Sequence, residues 1–328
     1  MTVEDIGIVV IGRNEGQRLI DCLQSVMREA LPVVYVDSDS KDDSVTAAEQ
    51  LGAFVVRLDR ARPFTAARAR NEGFAALKAL RPNIQYVQFI DGDCRLAPGW
   101  IETARAFLTS RKEAAIVCGR RRELHPQASV YNWLCDVEWN TPVGRTSASG
   151  GDSLARVEAF EAVGGFRSQL IGGEEPELCV RLRERGWEIW RIDAEMTLHD
   201  IAIMRFSRWW RRLVRSGFAF ADVWWLHRHS RYGIYLRETG RAVFWGGFLP
   251  LVIALGAFMN LNTLWLALIY PLHICWIALR RGPSARQSWT YGLFMVLGKF
   301  AEFNGVLRLL WTRAHLSPIQ PIEYRQAG

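Results

Sequence analysis

The sequence predicts an α/β domain built on a mostly parallel sheet, followed by basic, aromatic and apolar helices. Three observations carry that prediction. From residue 6 on, short apolar runs alternate with longer amphipathic stretches, the rhythm of βαβ units with helices on both sheet faces. Polar clusters follow directly on several of the runs, where the carboxyl ends of parallel strands place ligands. Beyond residue 200 the chain turns basic and apolar together.

Taken in order, Ile6–Ile11, Pro32–Val36, Ala53–Arg57, Tyr86–Ile90 and Ala115–Cys118 read as buried strands. Glu15–Ala30, Asp42–Leu51, Phe64–Leu80 and Pro98–Ser110 carry helical spacing between them. After Gly119 the pattern breaks into an excursion holding Arg120-Arg121-Arg122 and Trp133–Trp139. It returns through Ser149-Gly150-Gly151-Asp152 to a helix-like stretch ending at Gly164-Gly165-Phe166. In Gly173-Glu174-Glu175-Pro176, the proline fits the first helical position and Glu175 the cap, with Gly186 as the stop. Carboxylates there are held ionised by the helix's orphan amides, worth roughly 0.3–1 kcal/mol each.

The charge is unevenly spread. Residues 1–200 hold 25 Lys/Arg against 30 Asp/Glu, whereas residues 201–328 hold 16 against 4, with nine of the 14 tryptophans. Basic, aromatic and apolar together is the composition of a membrane-facing segment. A nucleic-acid surface has no need of the apolar runs that follow, so nucleic acid is excluded as the partner. Arg205–Trp225 reads as a helix lying in the headgroup plane. Ala242–Phe258 and Thr263–Leu279 are uncharged, broken by Asn260-Leu261-Asn262, and at the short limit for spans that need ~20 residues. Arg237 and Arg241 precede the pair while Arg280, Arg281 and Arg286 follow it, so both outer ends stay cytoplasmic. A re-entrant hairpin, or two core helices of a soluble domain, are the alternatives. Trp289–Trp311 carries Lys299, Glu302 and Arg308 and reads as interfacial. The expected organisation is thus a ligand-binding domain over 1–204, an interfacial segment over 205–241, a hydrophobic hairpin over 242–281, and an amphipathic helix with tail over 282–328.

Six cysteines show no paired spacing and read as reduced, mostly buried thiols. Glu4 and Asp5 interrupt the N-terminus, which reads as no signal peptide and leaves the first domain on the cytoplasmic side.

Asp91-Gly92-Asp93 is the most informative cluster. Two carboxylates at the end of a buried strand suit Mg²⁺ or Mn²⁺ carrying a diphosphate, which takes carboxylates, phosphate oxygens and water. A solvated turn is the alternative for this short motif.

In order along residues 6 to about 210, the motifs resemble the inverting family-2 glycosyltransferases. That resemblance implies a Rossmann-like glycosyltransferase A fold. Val9–Glu15 is similar to the family's first strand and its Asn-Glu pair, which implies Glu15 near the nucleobase or ribose. Val36–Ser44 is similar to the second motif, with Asp37 contacting the base; Asp39 and Asp43 stand where glycine is usual, and Asp tolerates a left-handed backbone. Ala69-Arg70-Asn71-Glu72-Gly73 is similar to A-R-N-x-G, implying Arg70 near the nucleotide. Asp93 matches the direct metal ligand and Asp91 lies nearer the ribose, while His199 falls where many members complete the metal shell. Gly173–Arg181 resembles E-D-x-D-L-C-x-R, with Glu175 replacing the aspartate that serves as general base and Glu174 as runner-up. On the acceptor side the resemblance implies Asp152 hydrogen-bonding a sugar. Arg205–Trp209 fits R-x-x-R-W of processive synthases, with Arg208 and Trp209 at the acceptor.

Together these imply a metal-dependent transferase moving a sugar from a nucleotide-diphosphate donor onto a lipid-linked or membrane-proximal acceptor. The setting implied is the inner membrane in glycan assembly. A processive polysaccharide synthase and a non-catalytic membrane scaffold that binds nucleotide sugar stand as alternatives.

Overall fold

The structure is a computed structural model that describes residues 5–315; residues 1–4 and the tail 316–328 lie outside the described residues. Two compact units make it up. Among the described residues, one runs to Met204 with the short return Ser230–Tyr232, and the other comprises Arg205–His229 and residues 233–315.

In the first unit, β1 (Ile6–Gly12), β2 (Val33–Asp37), β3 (Phe54–Arg57) and β4 (Tyr86–Asp91) pair in parallel. They alternate with α1 (Gln17–Met27), α2 (Ser44–Gln50) and α3 (Ala66–Leu80). The chain continues through β5 (Cys94–Leu96), α4 (Trp100–Ser110), β6 (Ala114–Glu123), α5 (Val130–Trp139) and β7 (Gly144–Thr146). β8 (Ser153–Arg156), α6 (Val157–Ala162), α7 (Glu174–Glu184) and β9 (Glu188–His199) complete it. The strand order is β3-β2-β1-β4-β8-β6-β9-β5, with β7 beside β9. β1, β2, β3, β4, β6 and β9 point one way, while β8 is inserted antiparallel between β4 and β6. The predicted α/β fold with mostly parallel strands is therefore what the chain forms.

β1 explains why the predicted strands read as unbroken apolar runs. Ile8 and Val10 enter one buried cluster with Leu23 and Trp100, and Val9 and Ile11 enter another with Leu77 and Phe89. A strand covered on both faces has no polar side to show. The register sets Gly12 opposite Asp37 and Ile11 opposite Asp91, which brings the three polar clusters to one end of the sheet.

Three expectations are corrected. The excursion after Gly119 is the second half of β6, which stays in the sheet beside β9 to Glu123. Its side chains are charged because they meet other charges, as Arg120 meets Asp136 and Arg122 meets Glu195. The helix-like stretch after Asp152 opens with β8 before turning into α6. Finally, α7 begins at Glu174, because Gly173 takes the left-handed turn (φ 78°) that launches it. Pro176 still falls among the first amides, which have no intrahelical acceptor, so its missing N–H costs nothing there.

In the second unit, α8 (Phe206–Leu226) and the helix Arg286–Ala314 cross backbone to backbone. A Cβ at Gly217 would lie 2.0 Å from the Glu302 carbonyl oxygen, and one at Gly305 2.1 Å from that of Val214. Arg313 pairs with Asp222 at 2.6 Å, and Lys299 with Glu302 at 2.7 Å. Leu236–Met259 and Leu261–Arg281 are long and apolar enough to cross a membrane. Phe258 is 94% exposed, Met259 89% and Leu261 74%. Helices of a soluble core bury such residues.

α3 lies against β1 and β2 with no room to spare: a Cβ on Gly73 would come within 2.5 Å of Val9 and 2.7 Å of Val36. Gly73→Val is expected to overpack this contact and cost about 1–3 kcal/mol. A lowered thermal midpoint of the detergent-purified protein would show it, and an unchanged midpoint would contradict the packing described.

Candidate active site

The cleft lies where β1, β2, β4 and β9 end. The loops after β1 and β2 are tied together: Asn14 Oδ1 accepts from the Lys41 amide at 2.7 Å, and the Asn14 amide donates to Ser40 Oγ at 2.9 Å. Asp37, buried at the tip of β2, accepts from Tyr35 Oη at 3.1 Å and from the Ser40 amide at 3.0 Å. Asp39 adopts the left-handed backbone (φ 67°) that its glycine-like place demands, whereas Asp43 (φ −77°) does not need it. Glu15 pairs with Arg18 at 2.8 Å on the neighbouring rim.

Gly92 lets the Asp91–Asp93 turn close onto β1. Its amide donates to the Ile11 carbonyl at 2.8 Å, and a Cβ would sit 3.0 Å from that oxygen. The two aspartates are thereby sent different ways. Asp93 Oδ2 lies 3.0 Å from His199 Nε2, both side chains buried, because Cys94 pairs with His199 across β5 and β9. Cys94 Sγ belongs to the same cluster. Asp91 instead faces two guanidiniums, with Oδ1 2.8 Å from Arg70 and Oδ2 3.0 Å from Arg121. Burial works to raise the Asp91 carboxyl, but Arg70 and then Arg121 outweigh it and hold it below the usual range.

Arg70 reaches this point from the buried face of α3 and holds three acids. Besides Asp91, it lies 2.9 Å from Glu174 and 2.9 Å from Glu175, both in the first turn of α7. Burial pushes Glu175 up to about 7; the charge on Glu174 adds to the rise and Arg70 opposes it. A half-buried carboxylate poised there is suited to take a proton near neutral pH. The backbone of Gly151 forms the floor, since a Cβ would meet Arg70 at 2.8 Å, Asp91 at 2.9 Å and Glu175 at 3.2 Å.

Glu15, Asp37, Arg70, Asp91, Asp93, Glu174, Glu175 and His199 thus lie in the first unit, with Asp91, Arg70, Glu174 and Glu175 in direct contact. Two residues read as acceptor ligands are buried. Asp152 is fully buried, accepting from the Asp91 amide at 3.0 Å and Thr197 Oγ1 at 2.7 Å, so it fixes the turn from within. Trp209 is buried in the second unit against Phe206 and Phe294; Arg208, half-buried, precedes it on α8.

Arg121 and Trp139 escaped the sequence reading. Arg121 joins Asp91 to Asp152, with its Nε 3.3 Å from the latter, and lies 5.2 Å from the ring centre of Trp139. Trp139 in turn meets the His199 ring edge-on at 4.7 Å. Extending the Ala115–Cys118 strand through the arginines would have pointed to Arg121.

Arg121→Met is expected to cost roughly 3–5 kcal/mol, because it strands the buried Asp152 carboxylate without its cation. The midpoint of urea unfolding measures this, and adding Asp152→Asn should recover part of the loss. A single variant as stable as wild type would refute the pairing.

Residues 7–143 match the model of glycosyl transferase family 2. The fold is similar to that of the mannosyltransferase PcManGT from Pyrobaculum calidifontis, solved in complex with GDP-Man and Mn²⁺. The TM-score is 0.64 at 17% identity, over 94% of this chain and 88% of that one. An uncharacterized glycosyltransferase of Rickettsia felis is 43% identical over 54 residues, 16% of this chain and 19% of that protein. The succinoglycan biosynthesis protein ExoA of Rhizobium meliloti is 41% identical over 51 residues, 16% of each. The chain thus spans less than a fifth of the length of the curated relatives it matches. The match to the glycosyl transferase family 2 model thus covers β1 through α5, and the sheet that holds its motifs at one end has the glycosyltransferase A fold.

Proposed function

We propose that the protein is a metal-dependent, inverting glycosyltransferase that moves a sugar from a nucleotide-diphosphate donor onto a lipid-linked or membrane-proximal acceptor in glycan assembly. The observation that carries this reading is the Arg70 hub, which holds the α7 acids against Asp91. The names of the relatives support the substrate classes: GDP-Man with Mn²⁺ for one, succinoglycan biosynthesis for another.

The donor set fits a hard divalent cation. Asp93 offers a carboxylate and His199 an imidazole, while burial keeps the adjacent Cys94 a neutral thiol rather than the thiolate that zinc favours. Asp93 and His199 would hold Mn²⁺ or Mg²⁺, which when bound offsets negative charge on the leaving diphosphate. Glu15 and Asp37 bind the base and ribose from the loops after β1 and β2, and Asp91 supports the ribose. Glu175 takes the proton from the acceptor hydroxyl as that oxygen bonds to the anomeric carbon. The bond from that carbon to the diphosphate breaks on the opposite face, its electron pair leaving with the phosphate. Arg70 supplies a fixed positive charge beside these events.

The second unit would hold the enzyme at the cytoplasmic face of the inner membrane. The segment 242–281 enters the bilayer, spanning or re-entrant, and the basic face of α8 attracts anionic headgroups at ~1 kcal/mol per Lys/Arg near the surface. Nucleic acid is no part of this reading.

Glu175→Gln should lower turnover on the active nucleotide sugar by about 10²–10⁴-fold while donor binding persists. Asp93→Ala should remove the dependence on added Mn²⁺ together with transfer. The base works only when deprotonated, so wild-type kcat/KM should be level above pH 7 and fall about tenfold per unit below it. A Glu175→Gln enzyme with the wild-type rate would reassign the base to Glu174. No transfer from UDP-, GDP- or dTDP-sugars with Mn²⁺ present would favour the scaffold reading.

A further inference from the structure

A second charged site lies on the same sheet, away from the Arg70 hub. A pocket of about 280 Å³ opens beside β6 and β9, lined by Arg120, Arg122, Asn140, Arg191, Asp193 and Glu195. Two of its guanidiniums have acids to hold: Arg120 pairs with Asp136, and Arg122 with Glu195. Arg191 is different. It is 4% exposed, pairs with no carboxylate among the described residues, and donates to the Ile192 carbonyl at 2.8 Å. Its Nε, buried as well, has no hydrogen-bond partner there. A buried guanidinium with an unused donor is costly unless an acceptor completes it. The cationic field is felt by Glu195, whose carboxyl is held low first by the hydrogen bond from Arg122 and further by the charges of Arg120 and Arg191.

We propose that this pocket binds a phosphate or diphosphate group carried by the acceptor, with Arg191 as the buried anchor and Arg122 as the outer clamp. Guanidiniums match the paired oxygens of such an anion. The position suits an acceptor rather than a donor. Along β9 the pocket residues Arg191, Asp193 and Glu195 precede Thr197 and His199, at ~3.3 Å per residue. Glu195 therefore stands ~13 Å from His199 along the strand, with Arg191 twice as far. Between them, Arg121 separates Arg120 from Arg122, and Asn140 follows Trp139, which touches both Arg121 and His199. An anion held between Arg191 and Arg122 would leave its Arg122 end ~13 Å from His199, a gap that an attached saccharide of two or more sugars can span. The inference rests on the transferase reading for the acceptor's role, though not for the anion site itself.

Thermal stabilisation of the purified protein by inorganic phosphate, with divalent cations chelated, tests the site alone. Wild type should be stabilised, Arg191→Met should lose the effect, and Arg122→Gln should need about tenfold more phosphate. Arg122 is on the exposed rim, so its variant folds even if Arg191→Met does not. Both variants should keep stabilisation by nucleotide diphosphate with Mn²⁺. Equal phosphate responses in wild type and Arg122→Gln, or in wild type and a folded Arg191→Met, would overturn the proposal. Acceptor sugars with and without a phosphate then separate a free ion from an acceptor group. With Arg122→Gln, KM for the phosphorylated acceptor should rise about tenfold, leaving KM for the donor and for a neutral acceptor unchanged. A KM unchanged for both acceptors would overturn the acceptor assignment and leave free phosphate as the ligand. If wild type transfers to neither acceptor yet binds phosphate through Arg191, the transferase reading fails while the anion site stands.

Discussion

One guanidinium sets the terms of the cleft. Arg70 is buried, and its two terminal nitrogens serve Asp91, Glu174 and Glu175 at once. A single positive charge divided among three acids, with Arg121 assisting at only one of them, cannot hold all of them ionised equally well. Asp91, touched by both cations, keeps its charge firmly, and Glu175 keeps its own only loosely. The same arrangement therefore produces a fixed anion beside Asp93 and a loosely charged carboxylate across from it. Because guanidinium does not titrate in the working range, the division is insensitive to everything except geometry.

That geometry comes from β8, an antiparallel strand set between two parallel ones. β8 runs against β4 and β6, so the loop before it returns to the end of the sheet where β4 stops. Asp152 then meets the Asp91 amide from inside, and Gly151 lies flat under Arg70, Asp91 and Glu175. α7 arrives on the far side, launched by the left-handed Gly173. Four separate segments of chain, α3, the end of β4, the loop before β8 and α7, thus converge within a few ångströms of the Arg70 guanidinium.

Much of this was legible in the chain before its fold was known, and the exceptions have physical causes. β1, β2 and β4 were readable because strands covered on both faces must be apolar throughout, and edge strand β3 because its β-branched valines favour a strand. The second half of β6 was hidden because Arg120, Arg121 and Arg122 each spend their charge on a partner that lies far along the sequence, and no local pattern reveals such a partner. β9 alternates between apolar cluster residues such as Trp190 and Ile192 and the charged positions Asp193 and Glu195, so it never forms a continuous run. Asp93, Arg70 and Glu175 could be named from short motifs, since their chemistry demands particular residues. Asp152 and Trp209 resembled ligands by type and order, yet burial decides whether a polar or aromatic group faces inward, and burial is set by the helices and strands around it.

The glycine crossing of α8 with the helix Arg286–Ala314 bears on where the second unit can function. Gly217 and Gly305 bring two backbones together by fit of surfaces, an attraction that owes little to the expulsion of water. Such a joint holds equally well in an aqueous or an oily surrounding. These two helices can then act as a stiff strut whose strength does not depend on whether the apolar pair Leu236–Met259 and Leu261–Arg281 lies in water or in lipid.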